Sequence, residues 1–210
     1  MENAYTLGGR VIRQGGKAAM TAQIGDRLFY KGEKHWMETY PLGQYLRTRD
    51  DIHFDSATCW SSCHRGYIGS WEIIDNKLFL IGLVEGTVCD PEDPEKVEID
   101  LGYIFPNVCA PNQERVFASW YTGHMCAPFG KILARARFHC IFEKELCFEV
   151  ENGIIVHEEE IDNNDLEKAI VRRMERSSPG IMERIDVLQR LDGLKPIEDF
   201  LEYFHYRRVG

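Results

Sequence analysis

Residues 66–84 read GYIGSWEIIDNKLFLIGLV, two runs of aromatic and β-branched residues joined by Asp75-Asn76. Both joining residues tolerate the left-handed backbone of a two-residue turn, so the segment is expected to fold as an antiparallel hairpin. A second hairpin is equally legible downstream. LCFEV (146–150) and IIVHE (154–158) flank Asn152-Gly153, the preferred pair for a type I′ turn. Before it, ARFHCIF (136–142) alternates Phe138, Cys140 and Phe142 against His139 and Ile141, the pattern of a half-buried strand. RVFASWYTG (115–123) supplies another strand. Toward the N-terminus, Leu28, Phe29 and Tyr30, then Trp36, Met37, Tyr40 and Leu42, fit short strands interrupted by Lys31-Gly32. Residues 47–55 are polar and read as a loop.

After Asp162 the apolar period becomes helical. Asn164 with Glu167 resembles a capping box, and Leu166, Ile170 and Met174 share one face. Arg172, Arg173 and Arg176 stand among Glu167 and Glu175, an arrangement suited to pairing within the helix. Ser178-Pro179 opens a second helix carrying Ile181, Ile185 and Leu188, and Pro196 a short third one. Strands first and helices last argue against a doubly wound α/β sheet. The expected class is α+β: a mainly antiparallel β-sheet with C-terminal helices, with a partly closed barrel or a sandwich both open as its form. The expected divisions are a Gly-rich N-terminal arm or edge hairpin at 1–25, an antiparallel β domain at 26–163 and a helical segment at 164–210.

The 210 residues are 44% hydrophobic and 28% charged, the composition of an ordinary globular chain large enough to bury a core. The formal net charge of -9 disfavours a dedicated nucleic-acid binder, which needs a basic stripe against phosphates. It also disfavours an anionic membrane and favours a basic protein partner. Seven of the residues from Glu85 to Asp100 are Asp or Glu, against Lys96 alone, which is a solvated loop unless it docks a cation or a basic partner. No run of about 18 apolar residues suggests a membrane span, and residues 1–20 lack the apolar core of a secretory signal. With seven cysteines, an odd number, a complete disulfide framework is not expected and a reducing cytoplasm is.

The densest chemistry lies at 58–71, where Cys59, Trp60, Cys63, His64, Arg65, Tyr67 and Trp71 crowd together. Cys59, Cys63 and His64 are good zinc ligand types, and His124 with Cys126, two apart on a strand, offers a second pair. The spacing fits a metal site poorly, and buried cysteine is the ordinary alternative. No cofactor is expected. Cys59, Cys63 or Cys126 as nucleophile, with His64 or His124 as base, is a further reading, although no known cysteine-enzyme context surrounds them. A sugar site built on Trp60, Trp71, Trp120 and Tyr121 would need two acids at a defined separation. Such aromatics in strands are more often core, and the Glu run at 157–162 more often blunts a sheet edge.

The stretches CHRGYIGSWEIIDNKLFLIGL (63–83), RVFASWYTGHMCAPFGKIL (115–133) and ELCFEVENGIIVHEEEIDN (145–163) resemble a bacterial family of uncharacterised proteins. That family is marked by an RGYxGxWEIxDxKLxL segment and a WYTG block. The resemblance implies a bacterial source and no mechanism.

Two functional readings follow. One is an intracellular protein-binding module, of immunity or accessory type, that masks a basic partner and uses Arg65, Tyr67, Trp71, Trp120 and Tyr121 for contact. The other is a small-molecule enzyme with a pocket at one end of the sheet. There Arg65 would hold an anionic group and His124 would act as acid or base.

Overall fold

The computed structural model describes residues 6–7, 10–11, 23–54, 62–88, 90, 92–106, 115–135, 140–177 and 207–209. Near the N-terminus β1 (Thr6–Leu7) and β2 (Arg10–Val11) pair antiparallel. Then come β3 (Asp26–Tyr30), β4 (Glu33–Met37), helix α1 (Leu42–Leu46), β5 (Tyr67–Ile74) and β6 (Lys77–Glu85). Helix α2 (Leu101–Ile104) precedes β7 (Val116–Phe117), β8 (Gly123–Arg135), β9 (Cys140–Glu151) and β10 (Ile154–Asp162). Helix α3 (Leu166–Ser177) and β11 (Arg207–Arg208) complete the order.

Three hairpins turn on pairs of left-handed residues. Lys31 and Gly32 have φ of 50° and 81°, Asp75 and Asn76 49° and 56°, and Asn152 and Gly153 48° and 80°. Two consecutive positive φ values define the type I′ turn, whose twist matches that of the flanking strands. Both turns read from the sequence are in place, and Lys31-Gly32 proves to be a third.

The main sheet has nine strands in the order β11-β8-β9-β10-β6-β5-β3-β4, with β7 on β6. Among the described residues only β3 and β5 run parallel; the other pairs are antiparallel. The fold class is therefore the expected one, and the sheet does not close into a barrel. Two seams hold its halves around the core. β10 meets β6 at a single register pair, Ile154↔Lys77, supported by Leu78 N–H donating to the Gly153 carbonyl and Ile155 N–H to that of Asn76, both at 2.8 Å. Just past β4, Glu38 N–H donates to the Cys126 carbonyl of β8 at 3.2 Å.

Strand alternation fills the space between the halves. Leu28, Met37, Trp71, Leu80, Met125, Phe148 and Val150 belong to one buried cluster, the large side chains whose burial supplies most of the driving force. Against β9 lies α3. Its Leu166, Ala169 and Ile170 are buried, as are Ala134 and Ile141.

One expectation is corrected there: Ile141, expected on the polar side of its strand, is fully buried. Leu42, expected in a strand, opens α1, and Ser119-Trp120 form a turn after the two residues of β7. The acidic stretch folds back on β6, with Glu85 N–H bonded to the Val97 carbonyl and Ile99 N–H to that of Leu83, both at 2.9 Å. It ends in Asp100, whose carboxylate caps α2 through Gly102 N–H at 2.8 Å. The cap of α3 is Asp165, one residue later than expected, accepting from Lys168 N–H at 3.3 Å. The expected helices after Ser178 lie outside the described residues, as does most of the N-terminal arm.

Candidate functional site

The residues singled out in the sequence are largely structural. Tyr67, Trp71 and Tyr121 are buried in the core. Trp120 is half-buried, stacks on Phe105 with ring centroids 5.0 Å apart, and donates to the Pro41 carbonyl at 3.2 Å. Tyr67 and Trp71, four apart on β5, share its core face, while Trp120 and Tyr121 reach the core from the turn that follows β7.

Arg65 has an internal partner that the sequence did not reveal. Its guanidinium donates to Asp26 Oδ1 at 2.8 Å and to the Ile24 carbonyl at 2.7 Å, and it lies 4.1 Å from the Tyr40 ring centre. Asp26 is fully buried and also accepts from Gly69 N–H at 3.0 Å and Trp71 Nε1–H at 2.9 Å. Burial pushes its carboxyl above the usual range, against the pull of Arg65 and the other two donors. Gly69 is required for this arrangement, since a Cβ there would stand 2.7 Å from both Asp26 Oδ2 and Trp71 Nε1. The group cast as an anion holder thus serves an internal carboxylate, while His124 sits exposed on β8.

The metal candidates separate in the same way. Cys63 is buried with Ile68, Val84 and Val88 and donates to the Tyr67 carbonyl, whereas His64 is exposed. Cys59 lies outside the described residues. Of the described candidates Cys126 joins a cluster of ligand-type side chains, and its partner there is not His124.

Cys126 on β8 stands opposite Cys147 on β9, with the two Sγ atoms 2.9 Å apart. Together with Glu145 they form the one group of possible metal-ligating side chains found among the described residues, all within 4.8 Å of one another. Glu145 is itself tied down. Arg176 of α3 donates to its Oε2 at 2.6 Å and Asn163 Nδ2 to its Oε1 at 3.2 Å. The hydrogen bond it shares with Cys147 holds the Cys126 thiol below its ordinary value despite burial, and the Arg176 guanidinium pulls the same way. The Cys147 thiol is pushed up, by that same bond and by burial. The two thiols are thus displaced in opposite directions, and one proton is shared between them.

The three arginines expected to pair within the helix each reach a partner outside it. Arg172 reaches Asn163 Oδ1 at 2.7 Å, Arg173 reaches Glu38 at 2.7 Å, and Arg176 reaches Glu145. Exposed pairs along one helix are worth a few tenths of a kcal/mol, and partly buried tertiary partners outweigh them.

Beside this cluster lies an acidic strand. Glu158, Glu159, Glu160 and Asp162 of β10 are exposed, together with Ile154 and Val156. Lys31 pairs with Glu158 at 3.0 Å and Lys144 with Glu160 at 2.6 Å, leaving the strand net acidic. No helix of the described residues is long and apolar enough to cross a membrane. No family model, no curated protein and no solved structure matches this chain.

Proposed function

We propose that this chain is a protein-binding module that takes an extended, basic segment of a partner along the free edge of β10. One observation carries the reading. Among the described residues β10 pairs with β6 only at Ile154↔Lys77 while pairing with β9 along its length, so residues 156–162 have a strand on one side only. Unpaired N–H and C=O groups in a row are a template for strand addition. Acidic side chains on that row repel a second copy of this chain and favour a lysine- or arginine-rich strand. Exposed Val156 and Ile154 supply apolar contact beside the charges. A masking role of immunity or accessory type, toward a basic partner in a reducing bacterial cytoplasm, is the specific form that the net charge of -9 supports.

The test uses a ten-residue peptide of alternating Lys and Thr as probe. The expected result is binding that weakens as salt rises, with slower hydrogen exchange confined to the amides of 156–162. Both effects should be lost in the Glu159→Lys/Glu160→Lys variant. Unchanged exchange on β10 at millimolar peptide, or binding indifferent to the double reversal, would overturn the proposal.

A further inference from the structure

We propose that Cys126 and Cys147 form a dithiol–disulfide exchange site whose substrates are small, accessible disulfides. The two residues are direct register partners on antiparallel strands, where Cα atoms stand about 4.5–5.5 Å apart. That span lies inside the range a disulfide bridges, about 4.4–6.8 Å, so closing the bond requires rotation of two side chains and no movement of backbone. The sulfurs already touch at 2.9 Å. The backbone of Cys126 is anchored on both sides, its carbonyl by Glu38 N–H and its N–H by Thr39 Oγ1. Both cysteines are half-buried.

The chemistry divides between them. Cys126, hydrogen-bonded to Cys147 and with Arg176 as the nearby positive charge, is the attacking thiolate. It displaces one thiolate from the substrate disulfide, which takes a proton from water, and a mixed disulfide forms at Cys126. Cys147, no longer hydrogen-bonded to a Cys126 thiolate, gives its proton to water and attacks the Cys126 sulfur as thiolate; the second substrate thiolate leaves and takes up a proton. In sum two protein thiols are oxidised to one disulfide, and one substrate disulfide is reduced to two thiols. Glu145, 3.9 Å from Cys147 Sγ, acts as a positioning residue that fixes Arg176 over the pair.

Glutathione disulfide is the probe. Full-length protein treated with it should lose two mass units through a Cys126–Cys147 bond found by peptide mapping, and dithiothreitol should restore both thiols. Cys147→Ser should hold the glutathione adduct on Cys126, whereas Cys126→Ser should acquire one on Cys147 at least tenfold more slowly. Arg176→Met should raise the pH midpoint for alkylation of Cys126, which a purely structural arginine would not do. Wild-type mapping decides the matter even where a variant folds poorly. A stable adduct without the internal bond, equal reactivity of the two cysteines, or one tightly held zinc ion with both thiols silent would each overturn the proposal.

Discussion

The Asp26 carboxylate and the Arg65 guanidinium meet at 2.8 Å, with Asp26 wholly enclosed and Arg65 stacked on Tyr40. The pair ties the start of β3 to the residue just before the β5 turn glycine, Gly66. Asp26→Ala would orphan three donors at once, on Arg65, Gly69 and Trp71. Unpaired buried donors and a stranded charge make this costly, about 3–5 kcal/mol. Urea denaturation of the variant should show a much lower midpoint at an unchanged slope.

Asp26 also sets a pH dependence. Its folded carboxyl lies above the ordinary value of 3.8 because of burial, so the folded state binds the proton more tightly than the unfolded one. Its contribution to stability is full below the unfolded value and is lost as pH rises through the folded one. The stability of wild type relative to Asp26→Asn should therefore decline from about pH 4 upward. Thermal melts of both proteins over that range test the sign, and a rising difference would contradict it.

The turn glycines are not equivalent. Gly32 and Gly153 both have positive φ, but a Cβ at Gly32 meets nothing within 4 Å, whereas at Gly153 it would stand 2.7 Å from the Ala118 carbonyl oxygen. Gly32→Ala should cost about 1 kcal/mol, the strain of left-handed backbone alone. Gly153→Ala should cost clearly more, and equilibrium unfolding of the two variants measures the difference.

Gly130 lies in the register shift between Phe129 and Ile132 that follows the Cys126–Cys147 pair along β8. It lies at φ +80° in the irregular part of β8, and a Cβ there would stand 3.1 Å from the Glu143 carboxylate. Gly130→Ala should strain the bulge and disturb the register beyond it. The expected readout is a lower yield of the Cys126–Cys147 bond under glutathione disulfide, alongside a stability loss of about 1–2 kcal/mol.

Local chemistry decided much of this protein before any tertiary contact. Asp75-Asn76 and Asn152-Gly153 carry their turn type in the residues themselves, because few side chains accept left-handed backbone. Alternation around them fixed which strands exist, and the change of period at Leu166 announced α3. The facing of Cys126 and Cys147 lay beyond that reach. An unbroken register from Arg135↔Cys140 would set Cys126 opposite Glu149, and the two irregularities in β8 set it opposite Cys147 instead. A bulge is decided by how a strand bends over its core, and no periodicity announces it. The same holds for Asp26. Its sequence neighbours are unremarkable, and its three donors come from residues 39 to 45 positions away, brought to it only by the parallel pairing of β3 with β5. Residue type determined the strands and turns; packing at long range decided which side chains meet.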